Sequence, residues 1–205
     1  MKKRTLSVIL LLALSLVFCL NSCGNKAIKY DEEEVASAAS TLIRNSQEFN
    51  EIFWGNGITY TEGTDYDNGI YSPATPDFKY TTIEDILSVA GKVFSEGYMR
   101  NVKATIFSAQ FGDTGVEGYA RYYQESKIEP IMVRTDYRPV MVDKNEYIYD
   151  TLTVVGSDES KVYVKLSVKV TRGDESQVIE RKISLVKEDG WRIDSHSFSN
   201  YYANN

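Results

Sequence analysis

The spacing of hydrophobic positions changes twice along the chain. From Leu6 to Leu20 they are almost continuous, behind the basic Lys2-Lys3-Arg4. This is the form of a secretory signal, and roughly 15 apolar residues fall short of the ~20 that a membrane-spanning helix needs. Between Val35 and Phe53 the apolar residues return every three or four positions. Val35, Ala39, Leu42, Phe49 and Phe53, widened by Ile43 and Ile52, predict an amphipathic helix. Asp31-Glu32-Glu33-Glu34 opens it with carboxylates that suit the helix dipole, and Trp54-Gly55-Asn56-Gly57 closes it. Consecutive acids on a helix point in different directions, so the acidic run is not read as a cation site.

A second helix is predicted from Thr82, with Thr81 or Thr82 as its cap and Ile83, Ile86, Leu87, Ala90, Val93 and Phe94 as its buried face. Ser95 caps a shorter helix through about Val102, and the stretch Lys103 to Thr114 reads as partly helical. Beyond Gly112 and Gly115 the period falls to two. Tyr119–Tyr123, Ile131–Arg134, Tyr147–Val155, Val178–Val186 and Trp191–Phe198 read as strands. The clearest is Val162, Val164, Leu166, Val168 and Val170 alternating with Tyr163, Lys165, Ser167, Lys169 and Thr171. Polar turns at 156–160, 172–175 and 188–190 join the later strands into a meander. Helices followed by an antiparallel meander predict one α+β domain, residues 31–205, with N-terminal helices packed on a curved antiparallel β-sheet.

Composition narrows the chemistry. The formal charge of −6 opposes a nucleic-acid partner, because phosphate affinity needs a basic face. One His and two Cys leave little material for zinc or thiol catalysis. Thr64-Asp65-Tyr66-Asp67-Asn68-Gly69 has the acids of a calcium loop without the Glu that would complete an EF-hand, so it reads as a turn. No metal-ligand cluster, phosphate-cradling glycine motif or G-x-S-x-G is present, and no cofactor is implied.

Leu20-Asn21-Ser22-Cys23-Gly24 resembles a bacterial lipobox, with Leu three residues before the Cys and a small residue directly before it. The resemblance implies that residues 1–22 are a lipoprotein signal peptide. It also implies a diacylglyceryl group on Cys23, residues 23–30 as a lipidated N-terminus and short tether, and an extracytoplasmic protein held to the membrane by that lipid. Losing residues 1–22 removes three basic groups and no acid, so the mature charge becomes −9.

The ending Ile183-Ser184-Leu185-Val186-Lys187-Glu188-Asp189-Gly190-Trp191-Arg192-Ile193-Asp194-Ser195 resembles the last hairpin of cystatin-like and NTF2-like domains. These wrap a bent antiparallel sheet around a helix and host enzymes, binding modules and inhibitors alike. A narrower resemblance is to IseA-type inhibitors of cell-wall D,L-endopeptidases. It rests on Tyr71-Ser72-Pro73, Thr82-Ile83-Glu84-Asp85-Ile86, Val93-Phe94-Ser95-x-x-Tyr98 and Trp191. It implies a partner among cell-wall hydrolases or wall components.

The residues themselves favour binding over catalysis. His196 lies between Ser195 and Ser197, two positions from Asp194, with no nucleophile elbow to complete a triad, and it reads as a surface or edge-strand histidine. Tyr119, Arg121, Tyr122 and Tyr123 share one segment, and Tyr and Arg give rigid contact area with a polar handle. They are candidates for a binding surface, against the reading that Tyr119 and Tyr123 pack on the helices. Asp150 and Asp194 are candidates for the space between helix and sheet, where an NTF2-like small-molecule binder or enzyme would place them. The expected function is therefore a lipid-anchored binding or inhibitory module of the cell envelope, without catalytic residues.

Overall fold

A computed structural model describes residues 28–63, 69–108 and 120–201. The expected signal segment, Cys23, the expected turn at Asp65, Asp67 and Asn68, and Tyr119 lie outside these residues. Helix α1 (Glu32–Phe53) begins where Asp31 accepts the Glu34 N–H at 2.8 Å, with Glu32, Glu33 and Glu34 in its first turn. Its buried face is Val35, Ala39, Leu42, Ile43, Ser46, Phe49, Asn50, Ile52 and Phe53, the predicted stripe plus two polar residues. After strand β1 (Tyr71–Pro73) come α2 (Ile83–Ala90) and α3 (Glu96–Ile106). In α2 Thr82 and Asp85 cap each other reciprocally, Thr82 Oγ1 accepting the Asp85 N–H and Asp85 Oδ2 accepting the Thr82 N–H. Ser95 caps α3 by accepting the Tyr98 N–H at 3.0 Å.

Strands β2 (Tyr122–Tyr123) and β3 (Met132–Arg134) pair with β1 in a small antiparallel sheet of order β1-β3-β2. Strands β4 (Lys144–Ser157), β5 (Val162–Arg172), β6 (Glu175–Glu188) and β7 (Gly190–Ile193) form the predicted meander as a separate antiparallel sheet. The mixed α+β class is as expected, but its strands divide between two sheets. Of the segments expected at 119–123 and 131–134, the described residues 120–123 and 131–134 do not extend the meander, because β3 pairs on both of its edges with β1 and β2.

On β5 Val162, Val164, Leu166, Val168 and Val170 are buried, while Tyr163, Lys165, Ser167 and Lys169 line the opposite face. That face is tied by Lys165 to Glu180 at 2.8 Å and by Lys182 over the Tyr163 ring. The buried face joins Ile183 and Leu185 of β6 to Phe49, Phe53 and Phe94 in one hydrophobic cluster. Each such side chain removed from water contributes about 1.5–3 kcal/mol, so this layer dominates the fold's stability.

The last predicted strand is cut short. Pairing stops at Ile193, and residues 194–201 leave the sheet. Asn145 holds this segment at Ser199, accepting its N–H and donating to its carbonyl, each at 2.8 Å. Asp143 forms a two-pronged pair with Arg172 at 2.7 and 2.8 Å and accepts the Tyr201 N–H. Side-chain anchoring replaces the ladder, and it turns Ser197 and Phe198 into the core.

Candidate functional site

The segment expected to present a binding surface instead closes the end of α1. The last turn of that helix carries no basic residue, so its carbonyls lack a cation from their own element. Arg121 supplies it from far along the chain. It donates to the Phe53 carbonyl at 2.8 Å and to the Gly55 carbonyl at 2.7 Å, and only 2% of it is exposed. Tyr122, fully buried, donates to the Ile52 carbonyl at 2.7 Å and accepts the Ile58 N–H at 3.1 Å. Gly57 permits this approach. Its φ is +87°, and a Cβ there would run into the Arg121 guanidinium and the Tyr122 hydroxyl.

Burial lowers the Arg121 pKa from its usual value and pushes Tyr122 up to about 12, so the Tyr122 phenol keeps its proton at neutral pH. The Tyr137 ring lies under the guanidinium, 4.0 Å from its centre. Tyr123 is half-buried with its ring edge-on to Tyr71. Arg121 and Tyr122 are thus packing and capping residues and form no open surface.

Asp150 is exposed, in a bulge of β4 where the pairing jumps from Ile148 to Thr153, and it does not enter the space between helix and sheet. Asp194 is half-buried at the junction of α3 and the sheet. Ser95 donates to its Oδ1, and Lys161 Nζ lies 2.5 Å from Oδ2. It ties the cap of α3 to Lys161, the residue before β5. The residues between α1 and the sheet that take its place are Phe49, Phe53, Val164, Leu166, Ile183 and Leu185, at most 2% exposed.

His196 is half-buried, not a surface histidine, because residues 194–201 turn inward. Its ring meets Trp54, Tyr98 and Phe198. Trp54 Nε1 donates to the Tyr98 hydroxyl at 2.8 Å, and that hydroxyl lies 3.1 Å from His196 Nδ1. Burial, and then the nearby Arg181, push the His196 pKa below its usual 6.5. The neighbouring Ser195 hydroxyl accepts the Ser184 N–H at 3.1 Å, so it faces the sheet and not the imidazole.

Several surface concavities remain among the described residues, and two stand out by their lining. The first is a polar cleft of about 250 Å³ between α1 and β4, with Gln47, Asn50, Glu51, Met141, Lys144 and Tyr147 among its walls. The second is an apolar groove of about 450 Å³ beside the small sheet, whose walls include Pro73, Pro76, Phe78, Tyr80, Ile128 and Pro130. Ile128 is 92% exposed. The turn that carries it is held by Gln124, which donates to the Thr81 and Glu129 carbonyls and accepts the Ile83 N–H.

Sequence reasoning missed both concavities. The available signals were the polar Ser46 and Asn50 inside the apolar stripe of α1, and the cluster of prolines and aromatics at 73–80 and 128–131. Among the described residues, no group of three His, Cys, Asp or Glu could hold a metal ion, and no helix is long and apolar enough to cross a membrane. No protein-family model matches the chain, and a search of curated proteins finds no match to its sequence.

Proposed function

We propose that the chain is a lipid-anchored, extracytoplasmic binding or inhibitory module of the bacterial cell envelope that takes a protein segment in the groove beside its small sheet. The observation that supports this reading is the exposed Ile128 over a floor of prolines and aromatics. A solvated isoleucine next to Phe78 and Tyr80 gains free energy only when a partner covers it. Three of the four prolines of the chain stand in the groove wall, so little backbone freedom is lost on docking. The resemblance to IseA-type inhibitors makes a cell-wall D,L-endopeptidase the partner of choice.

The lipid on Cys23 would orient the domain. The Ile28 N–H donates to the Asp158 carbonyl at 3.0 Å, which ties the start of the domain to the β4–β5 turn. Five residues of tether reach about 18 Å when extended, so that turn would face the membrane. Strand β5 then carries its other end about 35 Å outward.

The test places a photo-crosslinking residue at Ile128 in the full-length protein in cells, with a control at Val178, also exposed but on the outer face of the large sheet. A protein adduct at position 128, absent at 178 and identified as a wall hydrolase, is the expected result. Equal labelling at both positions, or none, overturns the groove. In a peptidoglycan-digestion assay the mature domain should slow that hydrolase and Ile128→Glu should not; unchanged digestion by the mature domain overturns inhibition. The anchor is tested separately, by Cys23→Ala, which should release the protein to the medium or leave its precursor uncleaved.

A small-molecule reading has one observation in its favour, the polar cleft. The apolar filling between α1 and the sheet moves that reading from an internal chamber to the cleft at its edge.

A further inference from the structure

A third concavity, of about 310 Å³, lies between α2 and α3. Leu87, Phe94 and Met99 give it apolar walls, and Gly91 leaves one wall without a side chain. Arg100 and Lys103, both exposed, line it from α3. They stand three positions apart on one helix, so their charges are neighbours and repel. Lys103 suits the last turn of α3, where a cation meets the helix dipole favourably, but Arg100 lies mid-helix and gains nothing from it.

The chain has acid to spare, with 29 Asp and Glu against 23 Lys and Arg. Ion pairs take up Lys79, Lys127, Lys161, Lys165, Lys187 and Arg172 among others, and Arg121, Arg181 and Arg192 donate to backbone carbonyls. Among the described residues, Arg100 and Lys103 have neither kind of partner. The acids at the start of α3 are committed elsewhere. Asp194 accepts from Ser95 and pairs with Lys161, and Glu188 accepts the Glu96 N–H at 3.0 Å. Glu96 lines the groove one turn before Arg100 and forms no ion pair with it.

We propose that the groove between α2 and α3 binds an aliphatic carboxylic acid, its carboxylate on Arg100 and Lys103 and its hydrocarbon chain on Leu87, Phe94 and Met99. Two unpaired cations beside apolar walls are the complement of a charged head on an apolar tail. The arginine fork can take both carboxylate oxygens, and the lysine adds a point charge. The walls carry no neutral polar side chain, so the amide groups of a peptide would lose water without gaining partners, whereas an aliphatic chain needs none. The volume matches the lower end of small-molecule sites, ~300–1,000 Å³. This site is independent of the groove beside the small sheet and of the lipid anchor.

The test is carbon-13 methyl NMR of residues 24–205, which carry the whole described fold, labelled at methionine. Met99 reports on this groove, while Met132 in the small sheet and Met141 in the polar cleft serve as internal controls. The probes, at neutral pH, are hexanoate, its uncharged and cationic counterparts hexanol and hexylamine, and N-acetylleucine as a peptide-like carboxylate. A saturable shift of Met99 with hexanoate is expected, with Met132 and Met141 unmoved and no shift with hexylamine. Hexanol should bind about tenfold more weakly, and so should hexanoate to the Arg100→Gln, Lys103→Gln double variant, whose changes are both at exposed positions. The proposal is overturned if Met99 does not shift, or if all three methionines shift together. It is equally overturned if hexanol or hexylamine binds as well as hexanoate, if the double variant binds hexanoate unchanged, or if N-acetylleucine binds more tightly than hexanoate.

Discussion

The two sheets of this protein differ in how their residues find their places. In the large sheet, β5 alternates strictly, with valines and a leucine buried and Tyr, Lys and Ser on the other face. One face is covered and one is wet, so a period of two suffices to assign every side chain. In the small sheet, Met132, Val133 and Arg134 of β3 are buried in succession, as are Ala120, Arg121 and Tyr122 at the entry to β2. Both Arg121 and Tyr122 reach the last turn of α1, and no alternation survives. The comparison teaches that a strand's pattern is informative only where solvent lies on one side of it.

That contrast can be broken experimentally. The largest effect should come from Leu166→Ala, which leaves a cavity under the best-packed strand and costs about 2–5 kcal/mol of stability in urea unfolding. Arg121→Ala should cost about 1.5–3 kcal/mol, because it strips a charged donor from the Phe53 and Gly55 carbonyls. A loss below about 0.5 kcal/mol, the range of an ordinary surface change, would return Arg121 to the surface role that its neighbours in the sequence suggested.

A smaller effect is expected from pH. His196 has a folded pKa below its unfolded value of 6.5, so the unfolded chain takes up a proton first as the pH falls. Stability should be unaffected by this group above about pH 6.5, decline below it, and level off once the folded imidazole also protonates. Urea midpoints from pH 7.5 to 5 would show the decline, and His196→Gln should flatten it. The Asp143–Arg172 pair acts in a separate window. The Arg172 hydrogen bonds hold the Asp143 carboxyl below its usual 3.8, so its contribution is lost only as the pH falls beneath that value. The smallest effect belongs to Asp150→Ala, which should stay within about 0.5 kcal/mol, since the residue sits exposed in a bulge.

Much of the fold was legible in the sequence. The acidic start and glycine stop of α1, the Thr82 and Ser95 caps and the three polar turns of the meander all act within a few residues of themselves. The candidate sites were far less legible. Ile128 could not be distinguished from a core isoleucine, because its exposure depends on Gln124 holding the turn against the start of α2. Asn50 stood out only as a polar residue in an apolar stripe. Its amide partner Ser197 lies 147 positions away. His196 read as an edge residue because nothing local signals that β7 ends at Ile193 and that Asn145 draws the following segment inward.

The sequence by itself determined the α+β class, the bounds of α1 and β5 and the inward face of β5. These follow from local propensity, capping and hydrophobic period, which neighbouring residues set. Only the tertiary structure decided that the strands divide into two sheets, that Arg121 serves as the missing cation at the end of α1, and where the cleft and the groove lie. Each of these depends on which polar atoms the packed core leaves for distant residues to satisfy, and a one-dimensional pattern does not record that pairing.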